Sequence, residues 1–248
     1  MSPATLTALP ILLPLLGAPL AIFLRRWHRL QAYFALGVST LSLLASLWIA
    51  WIVRSTQQGL VLQMGNWPAP FGISLIADPV SNFFLLMVQM VMWTGFLYSL
   101  GSKEYSASYP TYYPFFLMLL ASLNGAFLTG DLFNLFVFAE LVVISGTVLT
   151  AISDDRYGVE AAYKYFYISL LASVMLLLAV GSLYVAYGTL NLADLARRIA
   201  ESPDNPYASL AMIFLMAAFM VKGAVMPFHF WQPDFHTAAP TPVSAMLS

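Results

Sequence analysis

Apolar runs of about 20 residues alternate with short polar breaks along the whole chain, and a helix of that length crosses a bilayer. The pattern predicts seven spans, at 5–24, 30–53, 79–100, 112–129, 132–152, 165–187 and 208–226. Asp78 followed by Pro79 predicts the start of the third, with Asp as N-cap and Pro in the first turn. Gly130 and Asp131 predict a tight turn, Gly ending one helix and Asp capping the next. In the seventh span Lys222 and Gly223 precede Pro227, and proline removes a helical hydrogen bond. This predicts a helix broken just after Lys222, with a short second half from about Phe228. PTPVSAMLS then reads as the start of an eighth helix, capped by Thr241 with Pro242 behind it.

Two stretches between spans have character of their own. Residues 59–78 alternate apolar and turn residues, which predicts a hairpin-like loop outside the bilayer, near 54–78. Residues 190–201 read as an amphipathic helix on the membrane surface. Asn191 is its cap, Asp194 lies in its first turn, and Leu192, Leu195, Ala196 and Ile199 share one face.

Composition turns the pattern into a class. Of 248 residues, 60% are hydrophobic and 8% charged, where a soluble domain carries about 25% charged residues. The chain is therefore an all-α integral membrane protein. Positive charge follows the first apolar run instead of preceding it, so that run is a retained span and not a secretory signal. Net charge of −1 offers no basic patch for nucleic acid. The lack of cysteine excludes disulfides, iron–sulfur clusters and thiolate zinc sites. No nucleotide fingerprint, phosphate loop or catalytic triad is present, so neither an enzyme activity nor a cofactor is expected of this chain.

Charge placement suggests orientation. A cytoplasmic first loop puts Arg25, Arg26, Arg29, Lys103, Arg156 and Lys164 inside, and Arg54, Arg197 and Arg198 outside. The excess of positive residues inside predicts an extracytoplasmic N-terminus in a multi-pass protein of the cell (inner) membrane.

The candidate chemistry lies in the few ionisable residues within the spans. Glu140 stands nine residues past Asp131, about 14 Å along a helix, and so near mid-membrane. Lys222 lies deep in the seventh span. Charges in hydrocarbon are costly and mark transport sites unless they are static structural pairs. A direct Glu140–Lys222 pairing is one expectation, and a lysine snorkelling to the surface is the bland alternative. Lys164 begins span six and is expected either to snorkel or to relay protons. His229 and His236, seven apart, are expected on one helix face, but further metal ligands are lacking. Asp234 reads as a cap or a solvated group, Asp131 as an N-cap, and Asn134 as a hydrogen-bonding link across helices.

FLTGDLFNLFVFAELVVISGTVL (127–149) resembles the fifth-helix region of antiporter-like membrane subunits. This family is shared by Mrp-type multisubunit Na+/H+ antiporters and respiratory NADH:quinone oxidoreductase. MVKGAVMPFHFWQPDFHTAAPTPVSAMLS (220–248) resembles the same family's broken seventh helix and the start of its eighth. GNWPAPFGISLIADPVSNFF, GAFLTGDLFNLFVF and GTLNLADLARRIAE are similar to the D subunits of Mrp antiporters. The resemblance implies the N-terminal half of a fourteen-helix fold built from inverted repeats. Residues 1–111 would form helices 1–3, and 112–248 the first repeat with helices 4–7 and a truncated helix 8. It implies that Glu140 and Lys222 serve proton translocation and that Asp131, His229 and His236 match motif positions; with Lys164 as a relay they make up a possible proton path. It also implies other membrane subunits, a second chain supplying the C-terminal helices, and exchange of protons for a monovalent cation. The expected function is a cation/proton antiporter subunit. The alternatives are a proton-pumping subunit of a redox complex, such as NADH:quinone oxidoreductase or a membrane-bound hydrogenase, and a structural remnant without conduction.

Overall fold

The structure, a computed structural model, describes residues 3–102 and 105–247. Lys103, counted above among the inside charges, and Ser248 lie outside the described residues. The helices are α1 (Leu9–Phe23, entered through a 3-10 turn), α2 (His28–Thr56), α3 (Pro79–Gly101), α4 (Tyr112–Leu128), α5 (Leu132–Thr150), α6 (Arg156–Tyr187), α7 (Leu192–Glu201), α8 (Pro206–Lys222), α9 (Trp231–Ala238) and α10 (Thr241–Leu247). Between α2 and α3 lies an antiparallel hairpin of β1 (Leu60–Gln63) and β2 (Ser74–Ala77), with Leu60 opposite Ala77. Five helices, namely α1 with its entry turn, α2, α3, α5 and α6, are long and apolar enough to cross a membrane. The apolar helices α4 and α8 are shorter.

The caps follow the local chemistry. Asp78 accepts from the Ser81 amide at 2.7 Å, and Ser81 Oγ accepts in return from the Asp78 amide at 2.8 Å. This reciprocal box satisfies two amides at the start of α3. Asp131 accepts from the Asn134 amide at 2.8 Å and starts α5. Gly130 has a different role from the expected helix terminator. Its backbone lies where a Cβ would meet the Ile76 side chain at 2.5 Å, so glycine here permits close approach to the hairpin. Asn134 bonds locally to Thr129 Oγ1 (2.9 Å), not across helices.

Helix α6 starts at Arg156, well before the apolar run. Asp155 caps it by accepting from the Gly158 amide, and Gly158, Ala161, Ala162 and Tyr165 already lie on its buried face. Hydropathy marks only the part of a helix that meets hydrocarbon, and 32 residues extend about 48 Å, beyond a core of about 30 Å.

Proline shapes α1 in a way that draws its neighbours in. Pro14 cannot donate to the carbonyl of Pro10. Asn124 Nδ2 of α4 (2.7 Å) and Ser42 Oγ of α2 (3.1 Å) take that carbonyl instead. Gln89 of α3 donates to Ser42 Oγ at 2.7 Å, so one freed carbonyl is the hub of four helices. Along α3 and α4 away from it, Phe96, Tyr112, Phe116, Leu117 and Leu120 are fully buried in the apolar core.

One end of the bundle is stitched by backbone. The α4–α5 turn adds to the hairpin through Gly130 N to Ser74 O (2.8 Å), and the strand-like entry to α7 adds to that turn through Leu192 N to Gly130 O (2.9 Å). Helix α7 starts at Asn191, whose side chain caps it. Only Leu195 of its apolar face is buried, while Leu192 and Ile199 stay exposed. Asp194 is gripped by Arg197 (2.6 Å) and Arg198 (3.1 Å). The Arg197 hydrogen bond holds its carboxyl below the usual carboxylate range.

Candidate functional site

The break after Lys222 is built by the backbone. Ala224 takes a left-handed φ of 50°, and the Gly223, Ala224 and Val225 amides fold back onto Phe219, Val221 and Met220 carbonyls. A non-glycine residue there costs about 1–2 kcal/mol. The indole N–H of Trp231 reaches back 3.3 Å to the Val221 carbonyl and so serves the broken end. The chain resumes as a 3-10 turn (Phe228–Phe230) and then α9.

Lys222 is thereby the last residue of α8, half-buried at a cavity of about 220 Å³. Tyr165, Ser169 and Trp231 supply the cavity's other polar groups, and Val142, Val143 and Leu247 are among its apolar walls. Glu140 is the ninth residue of α5 and half-buried. Its Oε1 accepts a hydrogen bond from Ser173 Oγ of α6. Glu140 and Lys222 act on each other electrostatically, but among the described residues no ion pair joins them. The direct pairing expected from sequence is not made. The α6 stripe Tyr165, Ser169, Ser173 stands beside both groups instead.

Lys164 lies eight residues inside α6, not at its start. Its ammonium is held by Asp234 (2.7 Å) and Glu160 (2.8 Å). Asp234 is therefore an ion-pair partner tying α9 to α6, not a cap. His229 and His236 do not share a helix face, because His229 sits exposed in the 3-10 turn before α9 begins. His236 turns toward α10, with Nδ1 2.9 Å from Ser244 Oγ. Asp131 is buried as the α5 cap, at the opposite end of α5 from the turn into α6. Among the described residues no three His, Asp or Glu side chains gather to hold a metal ion.

The structure thus brings together Glu140, Lys222 and the α6 hydroxyls, with the Lys164–Asp234 pair beside Tyr165 at the far end of that stripe, and leaves Asp131, His229 and His236 apart. Ser173 was missed by the sequence reading. Its signal is the four-residue spacing from Ser169 and Tyr165 in an otherwise apolar run. Chemically, the arrangement places a carboxyl, a hydroxyl line and an amine along one side of the bundle interior.

Residues 129–248 match the family described as NADH:quinone oxidoreductase/Mrp antiporter, TM. The chain is 35% identical to the D subunit of the Na(+)/H(+) antiporter of Alkalihalophilus pseudofirmus, over 98% of this chain and 49% of that protein. Among solved structures it superposes on a chain of an archaeal membrane-bound sulfane sulfur reductase, a respiratory membrane complex, with a TM-score of 0.90. That match has 30% identity and covers 96% of this chain and 49% of the other. A chain of the Mrp complex from Dietzia superposes with a TM-score of 0.86 at 28% identity, covering 99% of this chain and 46% of the other. The chain spans about half the length of the curated relatives it matches.

Proposed function

The chain belongs to the antiporter-like membrane-subunit family of Mrp antiporters and respiratory complexes, and on that premise we propose that it carries one half of the proton path of a multisubunit cation/proton antiporter. The observation that carries the reading is a carboxyl and an amine in apolar helices that act on each other without an ion pair, the carboxyl bonded to Ser173 and the amine at a cavity lined by Ser169 and Tyr165 of the same helix face. A static pair would lock both charges. Unpaired partners a short way apart let each change its protonation as the other does.

In this reading Glu140 accepts a proton and Lys222 receives and releases one. Lys164 with Asp234 and Glu160 forms the partly exposed cluster where protons exchange with solvent. Asp131 and the two histidines stay outside the transfer itself. The counter-ion is a monovalent cation such as sodium, the other subunits are membrane proteins, and the rest of the path lies in the half of the relatives that this chain does not span. We further take residues 112–248 as the path-bearing repeat of an inverted-repeat fold, with α4, α5, α6 and the broken α8–α9 as spans and 1–111 as its flank. The N-terminus is placed outside.

The test is antiport by the assembled complex in inverted membrane vesicles, read as cation-driven collapse of a pH gradient. Glu140→Gln keeps the shape and removes the titration, so exchange is expected to fall at least about a hundredfold, the range typical for losing a positioned acid–base group. Unchanged exchange would refute the reading. A second reading, a subunit of a redox-driven proton pump, is favoured by the likeness to the archaeal respiratory complex. Copurification separates the two: iron–sulfur or flavin proteins favour the pump, and membrane subunits alone favour the antiporter.

A further inference from the structure

We propose that Ser173 is the positioning residue that serves Glu140 in both of its protonation states and hands its proton toward the Lys222 cavity. This rests on the proton-path reading and adds to it a specific residue with a specific task.

The first argument is hydrogen-bond accounting. The Ser173 hydroxyl is buried and has one hydrogen. Two acceptors face it, Glu140 Oε1 and the Ser169 carbonyl at 2.9 Å. It cannot donate to both at once. When Glu140 is ionised, the hydrogen points to the carboxylate. When Glu140 is protonated, the carboxyl donates to Ser173 Oγ, and the serine hydrogen turns back to the Ser169 carbonyl. Neither state strands a buried polar atom, where an unpaired one costs about 1–3 kcal/mol. A side chain that only donates or only accepts would favour one state and trap the proton.

The second argument is placement. Ser173, Ser169 and Tyr165 recur every four residues on one face of α6. Ser169 and Tyr165 line the cavity at Lys222, and Tyr165 interacts with the Ser169 hydroxyl and lies within the field of Glu140. Ser173 therefore stands at the carboxyl, and Ser169 and Tyr165, one and two turns along the same face, stand at the cavity wall. The cavity, at about 220 Å³, has room for several waters.

The step balances without any redox partner. The O–H bond of the Glu140 carboxyl breaks as one forms at Ser173 Oγ. The original Ser173 hydrogen passes to a water that reaches Ser173 from the Ser169 end of the cavity, and waters of the cavity carry the proton on to the neutral Lys222 amine. Glu140 ends as carboxylate, Lys222 as ammonium, and Ser173 as the same hydroxyl.

The experiment compares wild type, Glu140→Gln, Ser173→Ala, Ser173→Cys and Ser173→Thr in the assembled complex, with complex abundance measured in each. Exchange is followed across pH in inverted vesicles. Ser173→Ala removes the donor to the carboxylate, so exchange is expected to fall about tenfold and its pH profile to move to higher pH. The cation KM is expected to stay within about twofold, since ground-state cation binding is untouched. Ser173→Thr keeps the hydroxyl and should restore both rate and profile. Ser173→Cys, nearly the same shape with a weaker donor, should shift the profile in the same direction as Ala and keeps the test alive where Ala fails to assemble. An unshifted profile at wild-type rate in assembled Ala or Cys variants, with Glu140→Gln inactive, overturns the role of Ser173 alone. Full exchange in Glu140→Gln overturns the proton-path reading beneath it.

Discussion

At the scale of single residues, the question for Lys222 is whether its charge or its ability to lose that charge matters. An ammonium that only holds helices together is replaceable by another fixed cation. Arginine keeps its proton at every physiological pH. Lys222→Arg therefore separates the two roles: a static tie predicts near-normal exchange, and a proton carrier predicts an assembled but inactive complex. We expect the second, with Lys222→Met equally inactive and equally well assembled, scored by vesicle exchange beside complex abundance. Glu140 and Lys222 were legible because an ionisable residue inside an apolar run stands out on cost alone. Ser173 was not, because serine is ordinary in such helices and matters only through the carboxyl it faces. Sequence spacing gives the face of a helix, not the neighbour across from it. The same gap explains Asp234, whose partner is seventy residues away on α6.

At the scale of elements, α9 shows which force holds the second half of the broken helix. The Lys164–Asp234 bridge is about a third exposed at each side chain, and such pairs contribute about 0.2–1 kcal/mol. Trp231 is buried, packs at a tilt against Tyr165 with ring centroids 5.2 Å apart, and donates to the Val221 carbonyl. Removing a buried tryptophan costs about 3–5 kcal/mol. Packing therefore outweighs charge. Trp231→Ala is expected to lower the amount of assembled complex strongly, and Asp234→Asn to leave it near wild type, as measured by native gel after mild detergent extraction. Comparable losses in the two would show that the ion pair, not the indole, anchors α9. The break itself was legible through Pro227, and the caps Asp78, Asp131 and Asn191 were legible because their chemistry is local. The early start of α6 was not, since its first two turns are polar and helical at once.

At the scale of the whole molecule, the loops sort themselves into two ends. The hairpin, the Thr129–Asp131 turn and the entry to α7 share backbone hydrogen bonds, so they lie on one side of any membrane the bundle crosses. The α1–α2 turn and the α3–α4 connection meet at the other end, where Gln31 donates to the carbonyls of both Ala21 and Pro110 at 2.9 Å. Between those two ends runs α4, although it has only 17 residues, about 25 Å of helix. A span this short sits at the lower limit for crossing a bilayer. Which end faces the cytoplasm rests on the placement of Arg25, Arg26, Arg29 and Arg156 against Arg54, Arg197 and Arg198. The chain has no cysteine, so single cysteines report side directly. Gln58→Cys and Asp204→Cys, both at exposed positions of the hairpin end, should react with a membrane-impermeant maleimide added to intact cells. Arg26→Cys, which leaves Arg25 and Arg29 in place, and Tyr157→Cys should react only after the membrane is opened. The reverse pattern would invert the orientation while leaving the bundle intact. Labelling of Gln58→Cys and Asp204→Cys from opposite sides would break the alternation itself, because the α7 entry is stitched to the hairpin end and Tyr187 Oη donates to the Ser202 carbonyl, tying the α7–α8 loop to the same end of α6.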